Sequence, residues 1–460
     1  MTDISYRKYT LLAVSMASFL TPFMGSAINL ALPSIGIDFK SNTYLLSWVA
    51  TSYILASAAF LLPIGRFADI TGRKKIFTYG LIIFALTSLF CGFAWSIQAL
   101  IFFRITQGIG AAMIFGTAMA ILTSAFPPQE RGKVLGLNVA MVYIGLSAGP
   151  VLGGIMSHNF GWQSIFYFTA VISTTVLLLA LKIKKEWADA KGEKYDYLGA
   201  LFYSTGLLIF MYGFSSISSS EISKYLILIG LATLVLFIRR QMILEHPLLN
   251  LTLFTKNMTF AFSNLAALIN YSATFALGFL LSIYLQVIMH YDAQASGLIL
   301  LSQPIIMALL SPFAGTLSDR IQPRIVASFG MILITIGLFV FYFISIDTPL
   351  WLIIINLILL GIGFAFFSSP NSNAIMSSVE KNSYGIASST LVTMRLVGQA
   401  ASMAIVTMVL AFYVGDAELT ETSADLLIKG TKVSFLIFSV ICFIGVLTSL
   451  ARGNVDTGNS

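Results

Sequence analysis

Gly65-Arg-Phe-Ala-Asp69-Ile-Thr-Gly72-Arg73-Lys74-Lys75 is a short charged stretch set between two long apolar runs. Its residues suit a tight turn. Gly65 permits close helix approach, Gly72 permits a sharp reversal, and Asp69 can pair with Arg73 or accept from a nearby helix N-terminus. The flanks decide the setting. Residues 45–64 and 76–95 carry no charged side chain, and each is about as long as the ~20 residues needed to cross a bilayer core. The stretch therefore reads as a loop between two membrane spans.

The same alternation runs through the whole chain. Of 460 residues 57% are apolar and 10% charged, with a mean hydropathy of +0.90, whereas a soluble domain carries about 25% charged residues. Fourteen spans are expected, at 9–32, 45–64, 76–95, 99–124, 134–157, 164–181, 197–217, 225–238, 258–289, 295–317, 325–346, 350–369, 384–414 and 433–450. The eighth is short, so Arg239 and Arg240 are expected to snorkel at its end. All should be helices, because a spanning barrel would show period-two alternation in segments of about ten residues. The first run is too long for a signal-peptide core and lacks a small-residue cleavage site, so it reads as a retained span.

Charge sets the orientation. With a cytoplasmic N-terminus, 20 of the 26 basic residues fall in inner segments. Lys40, Lys224, Lys429 and Lys432 fall outside, and Arg104 and Arg395 lie within spans. This positive-inside asymmetry places both termini in the cytoplasm of a prokaryotic cell. It also accounts for the net charge of +7 without a nucleic-acid partner. Residues 1–185 form a first six-span bundle, 186–255 a two-span insert with its linkers, and 256–460 a second six-span bundle. Gly315-Thr-Leu-Ser-Asp319-Arg320 repeats the Gly-to-Asp spacing of the opening stretch after the second span of the second bundle. An all-α membrane fold built from parallel repeats is the expectation.

Two spans carry further signals. Arg104, in Ile-Phe-Phe-Arg104-Ile-Thr-Gln107-Gly, is an intramembrane cation that must face the bundle interior. It either staples its helix to neighbouring carbonyls or serves a proton or substrate path. Gly145, Gly149 and Gly153 recur every four residues around Pro150, giving one face that another helix can approach closely, with a bend at the proline.

These motifs, with Ile28-Asn29-Leu30-Ala31-Leu32-Pro33 at the end of the first span, resemble those of major facilitator drug:proton antiporters. Fourteen spans are similar to the QacA/EmrB-like branch. The resemblance implies export by alternating access, coupled to protons. It implies gating roles for Gly65, Asp69, Gly72, Arg73, Gly145, Gly149, Pro150, Gly153, Asp319 and Arg320. Arg104 and Gln107 would lie on the proton-linked region. One departure stands out: Met24 occupies the position where that branch usually carries an acid, and all nineteen Asp and Glu fall in loops or at span edges. With Arg104 and Arg395 unbalanced, neutral or anionic amphiphiles suit the spans better than dications. Asn29, Gln107, Asn138, Asn270, Gln286, Gln303 and Asn356 could supply neutral polar contacts.

A dedicated exporter of one metabolite or lipid-like solute is the alternative. A membrane enzyme or sensor is disfavoured: His158, His246 and His290 lie in loops without a metal-ligand cluster, and no nucleophile–base pair is visible. Cys91 and Cys442 fall inside apolar runs and offer no disulfide framework. The expected partners are the lipid bilayer, a small-molecule substrate and protons, with no cofactor and a monomeric chain.

Overall fold

A computed structural model describes residues 3–217, 220–380, 384–415 and 424–453, with the side chains of 3–5, 128–129, 131–133, 139, 319 and 384–385 excepted. Among these residues fourteen helical stretches are long and apolar enough to cross a membrane, as the hydropathy predicts. The face bearing the Gly65–Lys75 turn is called inner below, and the opposite one outer.

The first bundle comprises α1 (Asp3–Phe39), α2 (Thr43–Thr71), α3 (Arg73–Gly92), α4 (Ile97–Ala125), α5 (Pro128–Phe160) and α6 (Gln163–Leu181). Polar residues start its helices: Asn42 accepts the Leu45 N–H at 2.8 Å and Ser96 the Ala99 N–H at 3.2 Å, satisfying donors that a helix start leaves bare. Gly72, at φ 128°, makes the reversal from α2 to α3. In lipid, packing and hydrogen bonds rather than hydrophobicity hold helices together, so small residues mark the seams. The four-residue glycine repeat of α5 lies on such a seam, against α1. A Cβ on Gly149 would stand 2.6 Å from Ser26 Cβ, and one on Gly153 2.7 Å from the Ala27 carbonyl oxygen.

The second bundle follows a short helix, α9 (Thr252–Lys256), which succeeds the insert helices α7 (Tyr197–Ser215) and α8 (Ile222–Ile243). It comprises α10 (Met258–Thr274), α11 (Leu277–Ile283) with a π-helical turn at Tyr284–Ile288, α12 (Ala293–Leu300), α13 (Ser302–Arg320), α14 (Pro323–Phe341), α15 (Leu350–Ser377), α16 (Tyr384–Tyr413) and α17 (Ala424–Leu450). Two spans expected to be continuous are broken. The stretch 258–289 breaks at Phe275 and Ala276, where Ser402 Oγ accepts the Ala276 N–H at 3.1 Å. The stretch 295–317 breaks at Leu301, where Pro304 has no N–H to offer the Leu300 carbonyl.

The insert leans on the first bundle. Tyr203 Oη donates to the Ala58 carbonyl at 3.1 Å and Ser204 Oγ to the Ala59 carbonyl at 2.8 Å, both on α2, while α7 also packs on α16. Helix α8 outruns its expected limits, so Arg239 and Arg240 lie near its end and within it. Arg240 Nε donates to Asp196 Oδ1 at 2.7 Å, and Gln241 Nε2 donates to Oδ2 at 2.9 Å. Asp196 also caps α7 through the Gly199 N–H at 2.9 Å. Burial pushes the Asp196 carboxyl up, but the Gly199 N–H, Arg240 and Gln241 outweigh it and hold the group below its ordinary value of 3.8.

Candidate functional site

Three neighbouring hollows lie between the bundles. A cavity of about 150 Å³ is lined by Asn29, Tyr143, Tyr271, Gln303, Gln399 and Phe364, among others. Both helix breaks open onto it, through Thr274, Phe275, Leu300 and Pro304. A niche of about 30 Å³ shares Leu146, Phe275 and Gln399 with the cavity and reaches Tyr53, Phe115 and Arg395. Phe115 also walls a vestibule of about 630 Å³ on the inner side, lined by Arg66, Asp69, Arg73, Ser124 and Asp189.

The outer side is shut by backbone contact between the bundles. A Cβ on Gly154 would fall within 3.0 Å of the Ala293 carbonyl oxygen, and one on Gly297 within 3.0 Å of the Pro150 carbonyl oxygen. Ser282 Oγ donates to the Asn29 carbonyl at 2.7 Å, Gln286 Nε2 to the Leu30 carbonyl at 3.2 Å, and Thr407 Oγ1 to Ser47 Oγ at 3.0 Å. The outer seam is thus closed, while a hollow of about 630 Å³ lies on the inner side.

At the inner face the opening stretch meets a strap that its own residues do not foretell. Arg73 Nε donates to Asp69 Oδ1 at 2.6 Å, and Arg73 Nη1 donates to Ser124 Oγ at 2.7 Å and to Asp189. Glu186 accepts the N–H groups of Lys74 and Lys75 at 2.8 and 3.1 Å, a carboxylate at the start of α3 where the helix dipole favours one. The Ala190 N–H donates to the Asp69 carbonyl at 3.0 Å, and Arg66 pairs with Glu193. A Cβ on Gly72 would sit 2.8 Å from Glu186 Cδ. The linker after α6 is therefore stitched to the first bundle, through acids that sequence reading took for loop charge.

The polar residues singled out from sequence separate into groups. Asn29 and Gln303 line the cavity, and Arg395 lines the niche. Gln286 belongs to the outer closure. Arg104 is fully buried inside the first bundle, where Nε donates to the Val49 carbonyl at 3.0 Å and Nη1 to Gln107 Oε1 at 2.5 Å. Its guanidinium lies 4.2 Å from the centroid of Tyr53, and Gln107 Nε2 donates to Ser88 Oγ at 2.7 Å. Of the two roles open to Arg104, the geometry matches the staple. Asn138 donates to Met119 Sδ and Asn356 to the Gly337 carbonyl, each within its own bundle, and Asn270 is fully buried in α10. Pro150 lines the cavity beside the outer seam, whereas Gly145 packs on the Phe19 backbone in α1. Gly65 packs against Gly116 of α4, and Arg320 ends α13. The side chain of Asp319 lies outside the described residues. Met24 is fully buried and accepts from Thr169 Oγ1 of α6 at 3.5 Å, so an acid at this position would point into the first bundle and not into the cavity.

Sequence reasoning missed Tyr143, Tyr271 and Gln399. Gln399 follows Arg395 by one helical turn, so the 3.6-residue period could have found it. Tyr143 donates or accepts at 2.5 Å with Ser368 Oγ of α15, across the bundle interface; nothing local in the sequence marks that contact.

The family model described as Major Facilitator Superfamily matches residues 14–262 and 263–458. The chain belongs to the Major Facilitator Superfamily. It is a multi-pass membrane transporter, similar to the Riboflavin transporter RibZ of Clostridioides difficile, with 30% identity over 96% of both chains. It is also similar to the Multidrug resistance protein Stp of Mycobacterium tuberculosis, with 29% identity over 87% of this chain and 75% of that one. A bacterial homolog of the human lysosomal transporter Spinster shares the major facilitator fold, at a TM-score of 0.70, 17% identity and 99% coverage of each chain.

Proposed function

We propose that this transporter exports amphipathic small molecules, drugs among them, by alternating access and at the expense of the proton gradient. The observation that carries the reading is the cavity at the bundle interface, sealed outside by the Gly154–Ala293 and Gly297–Pro150 contacts and continued inside by the vestibule. Rocking the bundles about this point exposes the same cavity to either face. The similarity to a multidrug resistance protein and the glycine-rich α5 support export. The charge asymmetry supports a cell-membrane protein with both termini cytoplasmic. In the gate, Asp69, Arg73 and the outer-seam backbone of α5 take the leading roles.

A second reading is a dedicated carrier of a single neutral or anionic solute. Two observations favour it: the similarity to a riboflavin transporter across 96% of both chains, and a cavity and niche whose described lining includes no carboxylate. On either reading the proton must be carried by acids at the faces, such as Asp38 and Asp292 outside or Asp69 and Asp189 in the vestibule.

Uptake into inverted proteoliposomes tests both. The panel is riboflavin, a neutral lipophilic drug, an anionic dye and ethidium, each with and without an imposed proton gradient. Gradient-dependent uptake of several unrelated solutes supports the exporter, and uptake of one alone supports the dedicated carrier. No movement of any solute, or gradient-independent uptake throughout, defeats the proton-coupled exporter.

A further inference from the structure

Among the described residues Arg104 and Arg452 are fully buried and Arg395 is half-buried, and the three are clothed very differently. Arg104 has a carbonyl, an amide oxygen and the face of Tyr53. Arg452 is fully buried beyond the end of α17. It donates to Asn371 Oδ1 at 2.9 Å, to Ser263 Oγ at 3.3 Å and to the Ser449 carbonyl at 2.9 Å. Arg395 has none of this. Within the described residues no group accepts a hydrogen bond from it, and the ring of Phe115, on the other bundle, lies 5.8 Å away. An aromatic face at that distance is near the limit at which a cation is held at all.

We infer that Arg395 is the docking point for an oxyanion carried by the substrate, a carboxylate or a phosphate. The inference rests on the reading of this cavity as the transport site and narrows its substrate class. A guanidinium presents a planar fork of donors that matches the two oxygens of an oxyanion, and here the fork has no protein oxygen to serve. The niche that holds it is lined by no Asp or Glu among the described residues, so nothing there competes for the cation or repels an anion. Low polarizability around the site strengthens such a pairing, because charges inside a membrane protein are weakly screened.

The geometry also sets the shape of the solute. Gln399 borders the niche and the cavity alike, so an anion held at Arg395 leaves the rest of its molecule in the larger space. Tyr143, Tyr271, Phe275 and Phe364 line that space, and their faces suit a flat ring system. The substrate is therefore a flat amphiphile with an oxyanion on one end. Because Phe115 walls both niche and vestibule, the anion meets Arg395 at the point where a solute leaves the vestibule for the cavity.

Matched pairs test this with the full chain in detergent and in proteoliposomes. Riboflavin 5′-phosphate is set against riboflavin, and 1-naphthoate against 1-naphthamide, so that the ring stays constant while the anion comes and goes. Equilibrium dialysis should show the anionic member of at least one pair bound roughly ten- to hundredfold more tightly than its neutral partner. Which pair responds separates phosphate from carboxylate. Arg395→Gln should bring the ratio to about one in a protein whose melting profile and elution match the native, while Arg239→Gln, an exposed position on α8 that lines none of these spaces, should leave the ratio in place. A ratio near one in the native protein, or a preference that survives Arg395→Gln, overturns the anion site. Transport of the neutral members in that case leaves the carrier reading standing; if no member of either pair binds or moves, both fall together.

Discussion

Placing a methyl group at Gly154 should tilt the transporter toward its outward-facing state, because the clash it creates exists only while the outer seam is shut. Its Cβ would fall within 3.0 Å of the Ala293 carbonyl oxygen, and the obstacle is backbone, which cannot rotate aside as a side chain can. Overpacking of this kind costs about 1–3 kcal/mol. Parting the bundles at the outer face removes the whole of it. The inward-to-outward ratio should then fall by roughly five- to 150-fold in Gly154→Ala, and by a similar factor in Gly297→Ala, which meets the Pro150 carbonyl from the other side. Gly149→Ala is the control: its clash, 2.6 Å to Ser26 Cβ, lies between α1 and α5 of one bundle and is present in both states. The assay is labelling of a single introduced cysteine by an impermeant thiol reagent, at Thr123 in the inner vestibule or at Gln294 beside the outer seam, with the buried Cys91 and Cys442 replaced by serine. Gly154→Ala should slow labelling at Thr123→Cys and speed it at Gln294→Cys, while Gly149→Ala changes neither rate. Native labelling rates in a folded Gly154→Ala protein would refute the view that this seam closes the outer face.

Asp69→Asn and Arg73→Ala should each cut transport at least tenfold at matched expression, as loss of a shared catalytic or gating charge pair commonly does; uptake normalised to membrane-inserted protein is the measurement, and native rates in both would remove the turn from the gate. Arg104→Ala leaves the Gln107 amide oxygen bare, at about 1–3 kcal/mol for a buried acceptor, and removes a second donor from the Val49 carbonyl. It should therefore lower the melting temperature while leaving substrate affinity unchanged, and the opposite pattern would make Arg104 part of the path. Asp196 has a folded value held below the ordinary one, so its stabilising effect is complete above the ordinary carboxylate range and fades as pH falls through the depressed folded value. Native protein should lose stability at the acid end of a melting series relative to pH 7, and Asp196→Asn, already missing the ion pair with Arg240, should show a smaller acid-side loss; parallel curves would show that the cap carries no pH-linked stability.

Much of the fold was legible because a bilayer imposes a rule that sequence cannot evade: each crossing needs its apolar length, and cations gather on one side. That rule found the fourteen crossings but was blind to their interruptions. The breaks at Phe275 and Leu301 fall within runs that carry no charged side chain, and one of them is repaired by Ser402, more than a hundred residues away in the chain. Site residues divided along the same line. An asparagine or glutamine in a span announces only that it needs a partner. Whether the partner is a neighbouring carbonyl, as for Asn356, or the open cavity, as for Gln303, depends on helix rotation within the bundle. The glycines show the same ambiguity: Gly153 and Gly154 are adjacent, yet one faces α1 and the other the opposing bundle, since neighbours on a helix point about 100° apart.

The hydrogen bonds from Tyr203 and Ser204 to α2, together with the strap that ties Glu186, Asp189 and Glu193 to the inner turn, give the machine unequal leaves. A rocker of two matched six-helix halves would divide its swing evenly. Here the first half has the α7–α8 hairpin bolted to its flank and sweeps a wider footprint through viscous lipid, so for any relative rotation the lighter half turns through the greater angle. On the proposed rocking cycle, helix α16, which packs on α7, would be the part that travels, and Arg395 would travel with it.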